Sequence, residues 1–199
     1  MKLPKITPKQ TIDIANKISV AIKKSINVFS LNLPIVSLFD AKEVTEVLKN
    51  IFGDKCIEDL PIPYLAVSCN LSKPQEEIHN IGLLWYAVRS SGSIPGAFPP
   101  ITTKDGDLLV DGSIINNLPV DIIKKKFGRT TLVIANDINL INSDKKHYNI
   151  PASLTTGQII FASLFNKSQF TLPVFYKIII KAMMLGSKIK QNKNKKIAD

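Results

Sequence analysis

The residue in this sequence best placed to do chemistry is Asp111, which follows the short apolar run at residues 108–110 and precedes Gly112. We predict that the run is a β-strand. A carboxylate at the carboxyl end of a strand is held by the strand and aimed by the following turn, which is a common way to present a catalytic acid or base. Asp-Gly pairs also form ordinary turns, so the dipeptide alone favours a structural role.

A longer pattern surrounds Asp111. Residues 93–100 are SIPGAFPP, and residues 108–121 are LLVDGSIINNLPVD. This pattern resembles the second half of the patatin-like phospholipase domain, in particular the neuropathy-target-esterase branch and its bacterial relatives. In that family an S-I-P-x-x-F-P-P segment precedes D-G-G or D-G-A and then x-x-N-N-L-P. The resemblance extends over about residues 31–139 and is most specific over residues 89–121.

The resemblance implies a function. Patatin-like enzymes are serine esterases that cleave acyl esters of membrane lipids with a Ser-Asp dyad, in which the aspartate orients the serine and accepts its proton. Asp111 matches that aspartate and Gly112 the following glycine, whereas Ser113 stands where the family has Gly or Ala. The implied activity is that of a lysophospholipase or phospholipase of lipid degradation. The implied substrate is a phospholipid or lysophospholipid, and the dyad needs no cofactor or metal.

The other half of the dyad is absent from this sequence. The family serine lies in a G-x-S-x-G elbow, and none of the 199 residues forms that pentapeptide. Residues 92–96 are GSIPG, but Ser93 is second in the five and is therefore not predicted to be a nucleophile. The glycine-rich oxyanion loop is missing too. We expect the first strands of the domain to lie upstream of Met1 and the chain alone to be inactive.

Strands and helices are predicted to alternate through the middle of the chain. The predicted strands are residues 64–71, 108–110 and 131–137, and the predicted helices are residues 83–90 and 119–128. Such alternation is typical of a mostly parallel sheet with helices on its faces. We predict an α/β fold, specifically the patatin-like three-layer α/β/α arrangement with a mostly parallel central sheet and its N-terminal strands missing. Exposed strand edges should make the isolated chain marginally stable.

Helices are also predicted outside this region. The pair Thr7 and Gln10 forms a capping box for an amphipathic helix over residues 8–28, and a second helix should begin at Asp40 and end at Gly53. The predicted organisation is an amphipathic helix at residues 1–30, a partial patatin-like domain at 31–139, and an apolar helical region with a Lys-rich tail at 140–199.

Residues 174–190 are apolar with lysines along one side. We interpret them as a packing helix whose usable length is limited by Pro173 and Gly186. The alternative is an interfacial helix whose lysines meet anionic headgroups.

The net charge of +10 is concentrated near the end of the chain. A basic tail attracts anionic surfaces, either lipid headgroups or nucleic acid, although a frayed and solvated end is the simpler interpretation. The lysines are not interleaved with aromatic residues and no recognition motif is present, so nucleic acid is not an expected partner. The expected partners are the lipid substrate, a membrane surface contacted peripherally, and a segment or second chain that supplies the missing half.

Cysteine and histidine are scarce. Cys56 and Cys69 cannot form a disulfide framework, and His79 and His147 are too few and too separated for a metal site. No signal peptide and no apolar run of about twenty residues is present. We therefore predict a cytoplasmic protein with reduced thiols.

The alternative to the hydrolase is a non-catalytic fragment, or the partner-docking half of a split patatin-like protein.

Overall fold

The computed structural model describes residues 7–25, 37, 40–128, 130–137 and 175–198. In these residues five α-helices accompany a four-stranded sheet: α1 (Pro8–Ser25), α2 (Lys42–Phe52), β1 (Ala66–Asn70), β2 (Gln75–His79), α3 (Leu84–Ser91), β3 (Ile101–Thr102), β4 (Leu108–Asp111), α4 (Val120–Phe127) and α5 (Phe175–Lys195). Residues 1–135 and 183–199 form one compact unit, and residues 136–182 form another. The contacts described below lie within the first unit.

Helix α1 begins, and helix α2 begins and ends, close to where the sequence predicts. At the start of α1 the Thr7 N–H donates to Gln10 Oε1 at 2.8 Å, and the Gln10 N–H donates to Thr7 Oγ1 at 3.3 Å. This reciprocal capping box satisfies two donors that the helix itself cannot. The predicted end of α1 near residue 28 lies outside the described residues. Helix α2 is preceded by Asp40, whose carboxylate accepts from the Lys42 N–H, and is followed by Gly53 at φ 56°.

The sheet has the strand order β2-β1-β4-β3, and all three pairings are antiparallel. The prediction of a mostly parallel sheet is therefore wrong for the described strands. For β1 with β2 and for β3 with β4, the reason is that residues 71–74 and 103–107 are short turns, which can join only antiparallel neighbours. Strands β2 and β3 were not predicted, because β2 is polar and β3 has two residues.

The α/β class nevertheless holds, since helices approach both faces of the sheet. On one face Ala66 packs with Leu84 and Ala87 of α3. Glu76 of β2 lies opposite Cys69 and so on the other face, where it forms an ion pair with Lys190 of α5. The fold is therefore a small antiparallel version of the expected layering.

Residues 131–137, predicted as a strand, do not form one in the structure. Val133 is buried against Leu118 and Val120, whereas Leu132 and Ile134 are exposed. The alternation of buried and exposed side chains that predicted a strand is thus present, but the segment packs on the start of α4 instead of joining the sheet.

Helix α5 corrects two expectations about the end of the chain. It continues through Gly186 to Lys195, although that glycine was predicted to limit its length. A glycine in a helix interior costs only about 1 kcal/mol relative to alanine, which packing can offset. The packing comes from a buried stripe formed by Ser187, Gln191 and Asn194, so this end is docked rather than frayed. The predicted division of the chain at residues 30 and 139 stays a prediction.

Asn194→Ala is expected to destabilise the protein by about 2 kcal/mol, because it leaves buried polar groups without their donor. The Asn194 Nδ2 donates to Asn116 Oδ1, Leu118 O and Asp121 Oδ1 at 3.2, 2.8 and 2.9 Å. Asn192→Ala is the matched control, since Asn192 is exposed on the same helix. Urea unfolding of both variants checks this; equal midpoints would show that the stripe does not hold α5.

Candidate active site around Asp111

Asp111 is the last residue of β4 and is held from three directions. It lies opposite Ser68 of β1, and its N–H donates to Ser93 O at 2.9 Å. Its carboxylate Oδ1 accepts from the Ser113 N–H at 2.7 Å. The strand therefore fixes the backbone, while the turn that follows fixes the carboxylate. The sequence predicts this position at the end of a strand for a catalytic acid or base. The catalytic role of Asp111 itself stays a prediction.

Gly112 is required by a close approach of two backbones. A Cβ added at this position would lie 2.2 Å from Val67 O and 2.7 Å from Val67 C, distances that real Cβ atoms do not reach. Glycine thus lets the chain leave β4 and enter the 3-10 turn Gly112–Ile114 directly against β1. The resemblance identified this glycine, and the contact with Val67 supplies its physical reason.

Burial raises the pKa of the Asp111 carboxyl above its ordinary value, and hydrogen bonds from the backbone and side chain of Ser113 act in the opposite direction. A carboxylate with a raised pKa binds a proton more readily at neutral pH, which suits a group that must accept one during a reaction. Ser113, the departure from the family's Gly or Ala, therefore contributes a polar group that stabilises the charged carboxylate.

Ser113→Ala is expected to raise the pKa of Asp111 further, because the backbone N–H bond remains while the side-chain hydrogen bond is lost. Carboxyl carbon-13 NMR titration of the folded chain measures this pKa directly. Ser91→Ala is the matched control, since Ser91 lines the same cavity, whereas the hydrogen bonds that lower the pKa of Asp111 come from Ser113. An unchanged or lowered pKa in Ser113→Ala would contradict the assigned role of the hydroxyl.

A cavity of about 250 Å³ adjoins the carboxylate. Its walls come from the segment before β1, the end of α3 and the turn after β4, and include Tyr64, Ala66, Ser91, Asn116 and Pro119. The volume is below the range typical of pockets that bind small molecules, about 300–1,000 Å³. It is sufficient for a reacting side chain and an ester group, but not for a whole lipid.

The Ser93 side chain is enclosed by the protein, and that it is not a nucleophile stays a prediction. Its side chain is fully buried, and its hydroxyl donates to Arg89 O at 2.8 Å while accepting from the Arg89 guanidinium. The Ser93 hydroxyl therefore both donates and accepts a hydrogen bond inside the protein. Its carbonyl oxygen, which accepts from the Asp111 N–H, is the part of Ser93 that contacts the candidate site.

Arg89 organises the SIPGAFPP turn, a role that the sequence analysis did not assign. Arg89 is 4% exposed, and its guanidinium donates to Thr45 Oγ1 and Pro99 O, both at 3.3 Å, in addition to Ser93. It also lies over the Phe98 ring at 5.7 Å. Burial lowers the pKa of Arg89, but arginine stays charged at neutral pH. The spacing of Arg89 and Ser93, one helical turn apart, is the sequence signal for this contact.

A serine and a histidine also lie near Asp111 without forming a catalytic triad. Ser68 Oγ is 2.7 Å from His79 Nε2, and burial lowers the pKa of His79. Ser68 is 0% exposed, so no ester can reach its hydroxyl. We interpret the pair as a hydrogen-bonded link between β1 and β2.

The loop that follows the Asp111 turn is held by a polar cluster. Asn116 Nδ2 donates to Glu76 Oε1 at 2.8 Å and to Asp121 Oδ1 at 2.9 Å. Lys190 forms ion pairs with both carboxylates. Burial opposes these charges, but the hydrogen bonds lower the pKa of Asp121 and raise that of Lys190. The cluster attaches α5 to the Asn-Asn-Leu-Pro segment, and part of that segment lines the cavity.

Cys56 and Cys69 are free thiols. Within the described residues no group of three or more His, Cys, Asp or Glu side chains could hold a metal ion. In that same part of the chain, no helix has both the length and the apolar character needed to cross a membrane.

Comparison with known proteins identifies the family. A sequence model of the patatin-like phospholipase family matches residues 14–124, which include Asp111 and Gly112. Neuropathy target esterase sws of Drosophila melanogaster is 41% identical over 99 residues, or 49% of this chain and 7% of the relative. Patatin-like phospholipase domain-containing proteins 7 of Rattus norvegicus and 6 of Homo sapiens are each 38% identical over 108 residues, or 54% of this chain and 8% of each relative.

The aligned region is thus less than a tenth of these relatives. The family match, however, covers more than half of the 199 residues and contains the complete pattern around Asp111. The chain therefore belongs to the patatin-like phospholipase family.

Proposed function

We propose that this chain contributes the aspartate of a Ser-Asp dyad to a patatin-like lipid acyl hydrolase, with Asp111 as that aspartate. The observation that carries the proposal is the placement of its carboxylate at the end of β4, beside a cavity, with a pKa raised by burial. The proposed substrates are phospholipid or lysophospholipid acyl esters, and the reaction is carboxylic-ester hydrolysis.

In the proposed reaction a serine hydroxyl enters the cavity beside Asp111. The carboxylate accepts the serine proton as the oxygen attacks the ester carbonyl carbon, and the proton then passes to the departing alcohol. The resulting acyl-serine is cleaved by a water molecule, whose proton Asp111 accepts and returns to the serine. The serine comes from a G-x-S-x-G elbow outside these 199 residues, so this chain alone is proposed to be inactive.

The second candidate is a non-catalytic fragment, or a half that docks on a separately encoded partner. The specific observation in its favour is that the sequence contains no G-x-S-x-G pentapeptide. The two candidates differ in one respect: only the dyad proposal requires the carboxylate of Asp111 to support turnover once a serine elbow is supplied.

A chimera tests the dyad proposal. The stretch of neuropathy target esterase sws that aligns with this chain is replaced by the corresponding residues of this chain, so that the relative supplies the elbow. We expect the chimera to hydrolyse a lysophospholipid and a short-chain aryl ester, and this chain alone to hydrolyse neither. A folded chimera without turnover would overturn the proposal. Turnover by this chain alone that disappears in Asp111→Asn would refute the requirement for an external serine.

A further inference from the structure

Over residues 182–195, where its burial is described, helix α5 has the reverse of the usual polarity for a helix packed on a protein. Its buried stripe is polar and consists of Ser187, Gln191 and Asn194. Its outward side carries Leu185 and Ile189, which are 64% and 72% exposed. A packed helix normally buries its apolar face and exposes its polar one. Single exposed apolar residues are ordinary, but these two are four residues apart and therefore form one outward patch.

Lysines border this apolar patch. With 100° between successive residues, Lys188 and Lys193 flank the line through Leu185 and Ile189 on either side, and Lys196 directly follows the last residue of the helix. All three lysines are exposed. The outward side of residues 185–196 therefore carries two apolar side chains bordered by three lysines. We call this the α5 outer face.

We propose that the α5 outer face docks on a membrane surface that contains anionic phospholipids. Leu185 and Ile189 would enter the boundary between headgroups and acyl chains, and the lysines would bind the headgroup phosphates. Amphipathic helices that lie in a membrane interface combine these two features: apolar side chains on the lipid side and lysines at its border. The net charge of +10 for the chain adds long-range attraction to such a surface.

Charge argues against the other occupants of this face. A second copy of the chain docked through the same face would bring two sets of lysines together, and like charges in an interface are costly. Nucleic acid would bind the lysines but would leave Leu185 and Ile189 without an apolar partner. An anionic lipid surface satisfies both kinds of side chain at once, and it is also where a phospholipid substrate is found.

The inner side of α5 connects this face to the candidate site. The Asn117 N–H donates to Ser187 Oγ at 3.2 Å, and Asn194 bonds to the side chain of Asn116. Asn116 and Asn117 both line the cavity beside Asp111. A membrane-bound α5 would therefore hold the wall of that cavity close to the lipid surface. The docking itself does not depend on any catalytic role of Asp111.

Vesicle flotation of the 199-residue chain tests the proposal. Binding is measured to vesicles of phosphatidylcholine alone and of phosphatidylcholine mixed with phosphatidylglycerol, and flotation separates bound protein from aggregates. We expect binding to the anionic vesicles that weakens with added salt. Lys188→Gln with Lys193→Gln should weaken it about 25-fold, or about fivefold for each lysine. Leu185→Ser with Ile189→Ser should weaken it at least about tenfold.

Matched controls use equally exposed residues elsewhere. Ile62→Ser with Ile81→Ser removes two side chains that are 76% and 71% exposed, and Lys104→Gln with Lys125→Gln removes two exposed lysines. These variants should bind as the unmodified chain does. Circular dichroism and gel filtration confirm that each variant is folded, which is expected because every substitution is on the surface.

Three results would overturn the proposal. One is the absence of binding to anionic vesicles by the folded chain. Another is that the α5 and control substitutions weaken vesicle binding equally, which would indicate that binding depends on overall charge or hydrophobicity and not on the α5 outer face. The third is a dimer of the unmodified chain that Leu185→Ser with Ile189→Ser dissociates while vesicle binding persists, which would assign the face to a second copy. None of these measurements involves hydrolysis, so they are independent of the chimera result.

Discussion

In the chimera, Asp111→Asn is expected to lower kcat for ester hydrolysis by about 10³-fold or more, with little change in KM. The asparagine oxygen can still accept the Ser113 N–H, which Asp111 Oδ1 binds at 2.7 Å, so the turn should keep its geometry. An amide cannot accept the serine proton, however. The loss should therefore appear in the chemical step rather than in substrate binding.

Asp107→Asn is the matched control. Asp107 lies four residues earlier, at the turn before β4, where Asn70 and Lys73 donate to its carboxylate. The bond with Lys73 lowers the pKa of Asp107, the opposite direction from Asp111. This variant should keep kcat unchanged. If both substitutions reduce turnover equally, or if Asp111→Asn retains it, Asp111 is not the proton acceptor.

Stability separates loss of chemistry from loss of fold in this experiment. The pKa of Asp111 is raised in the folded chain, so the folded state holds its proton to higher pH than the unfolded state does. The contribution of Asp111 to stability therefore decreases as pH rises from its unfolded value, about 3.9, through its folded value. Asp111→Asn removes this titration. The stability of Asp111→Asn minus that of the unmodified chain should therefore be larger at neutral pH than at acid pH. Reduced turnover in a variant that keeps its stability identifies a chemical role for Asp111.

The sequence predicted the local features of this region well. The apolar run before Asp111, the helix before Ser93, and the Pro and Gly residues that bound α4 all rest on short-range rules for strands, caps and turns. Those rules depend on neighbouring residues only. They were sufficient to place Asp111 at the end of a strand.

The sheet topology could not be predicted in the same way. Alternating strands and helices indicated parallel pairing, yet β2 is a strand of Gln, Glu, Glu, Ile and His, which carries almost no strand signal. Once β2 pairs with β1 across the turn at residues 71–74, antiparallel order follows for that pair. Strand formation here is decided by the neighbour that supplies hydrogen bonds, not by the residues of β2 themselves.

Long-range polar contacts were the other feature that sequence reasoning missed. Asn116, Asp121, Lys190 and Asn194 form one cluster only after α5 returns to the loop beyond β4. Asparagine and lysine in a basic tail are ordinarily solvated, so composition favoured a frayed end. The stripe at residues 187, 191 and 194 has helical spacing, but it is polar, and searches for apolar periodicity do not detect it.

Gly112→Ala is expected to destabilise the folded chain by about 3 kcal/mol, the upper part of the range for overpacking a close-packed interior. The added methyl group would lie 2.2 Å from Val67 O, an atom of the backbone of β1. A side chain could rotate away from such a contact, but a strand paired on both sides cannot move without disturbing its neighbours. For a chain of this size, the melting temperature should fall by about 10 °C.

Gly186→Ala provides the matched control, because it is the same chemical change at a site where nothing lies within 4 Å of the added Cβ. Gly186 is inside α5, so alanine there should stabilise the chain by up to about 1 kcal/mol. Urea unfolding of both variants gives the two free energies. If Gly112→Ala were as stable as the unmodified chain, β1 and the Asp111 turn would not be in close contact, and the strand would not fix the position of the carboxylate.

The position of Asp111 should also change in Gly112→Ala, which makes this substitution a test of the site as well as of the fold. To relieve the overlap, the Gly112–Ile114 turn must move away from β1, and it carries the Ser113 N–H that bonds to Asp111. In the chimera, Gly112→Ala should therefore reduce kcat even where the protein remains folded. Asp107→Asn should leave kcat unchanged in the same chimera, because Asp107 lies outside the cavity lining. Retained turnover in a folded Gly112→Ala chimera would show that the dyad tolerates displacement of this turn, contrary to the geometry assigned to Asp111.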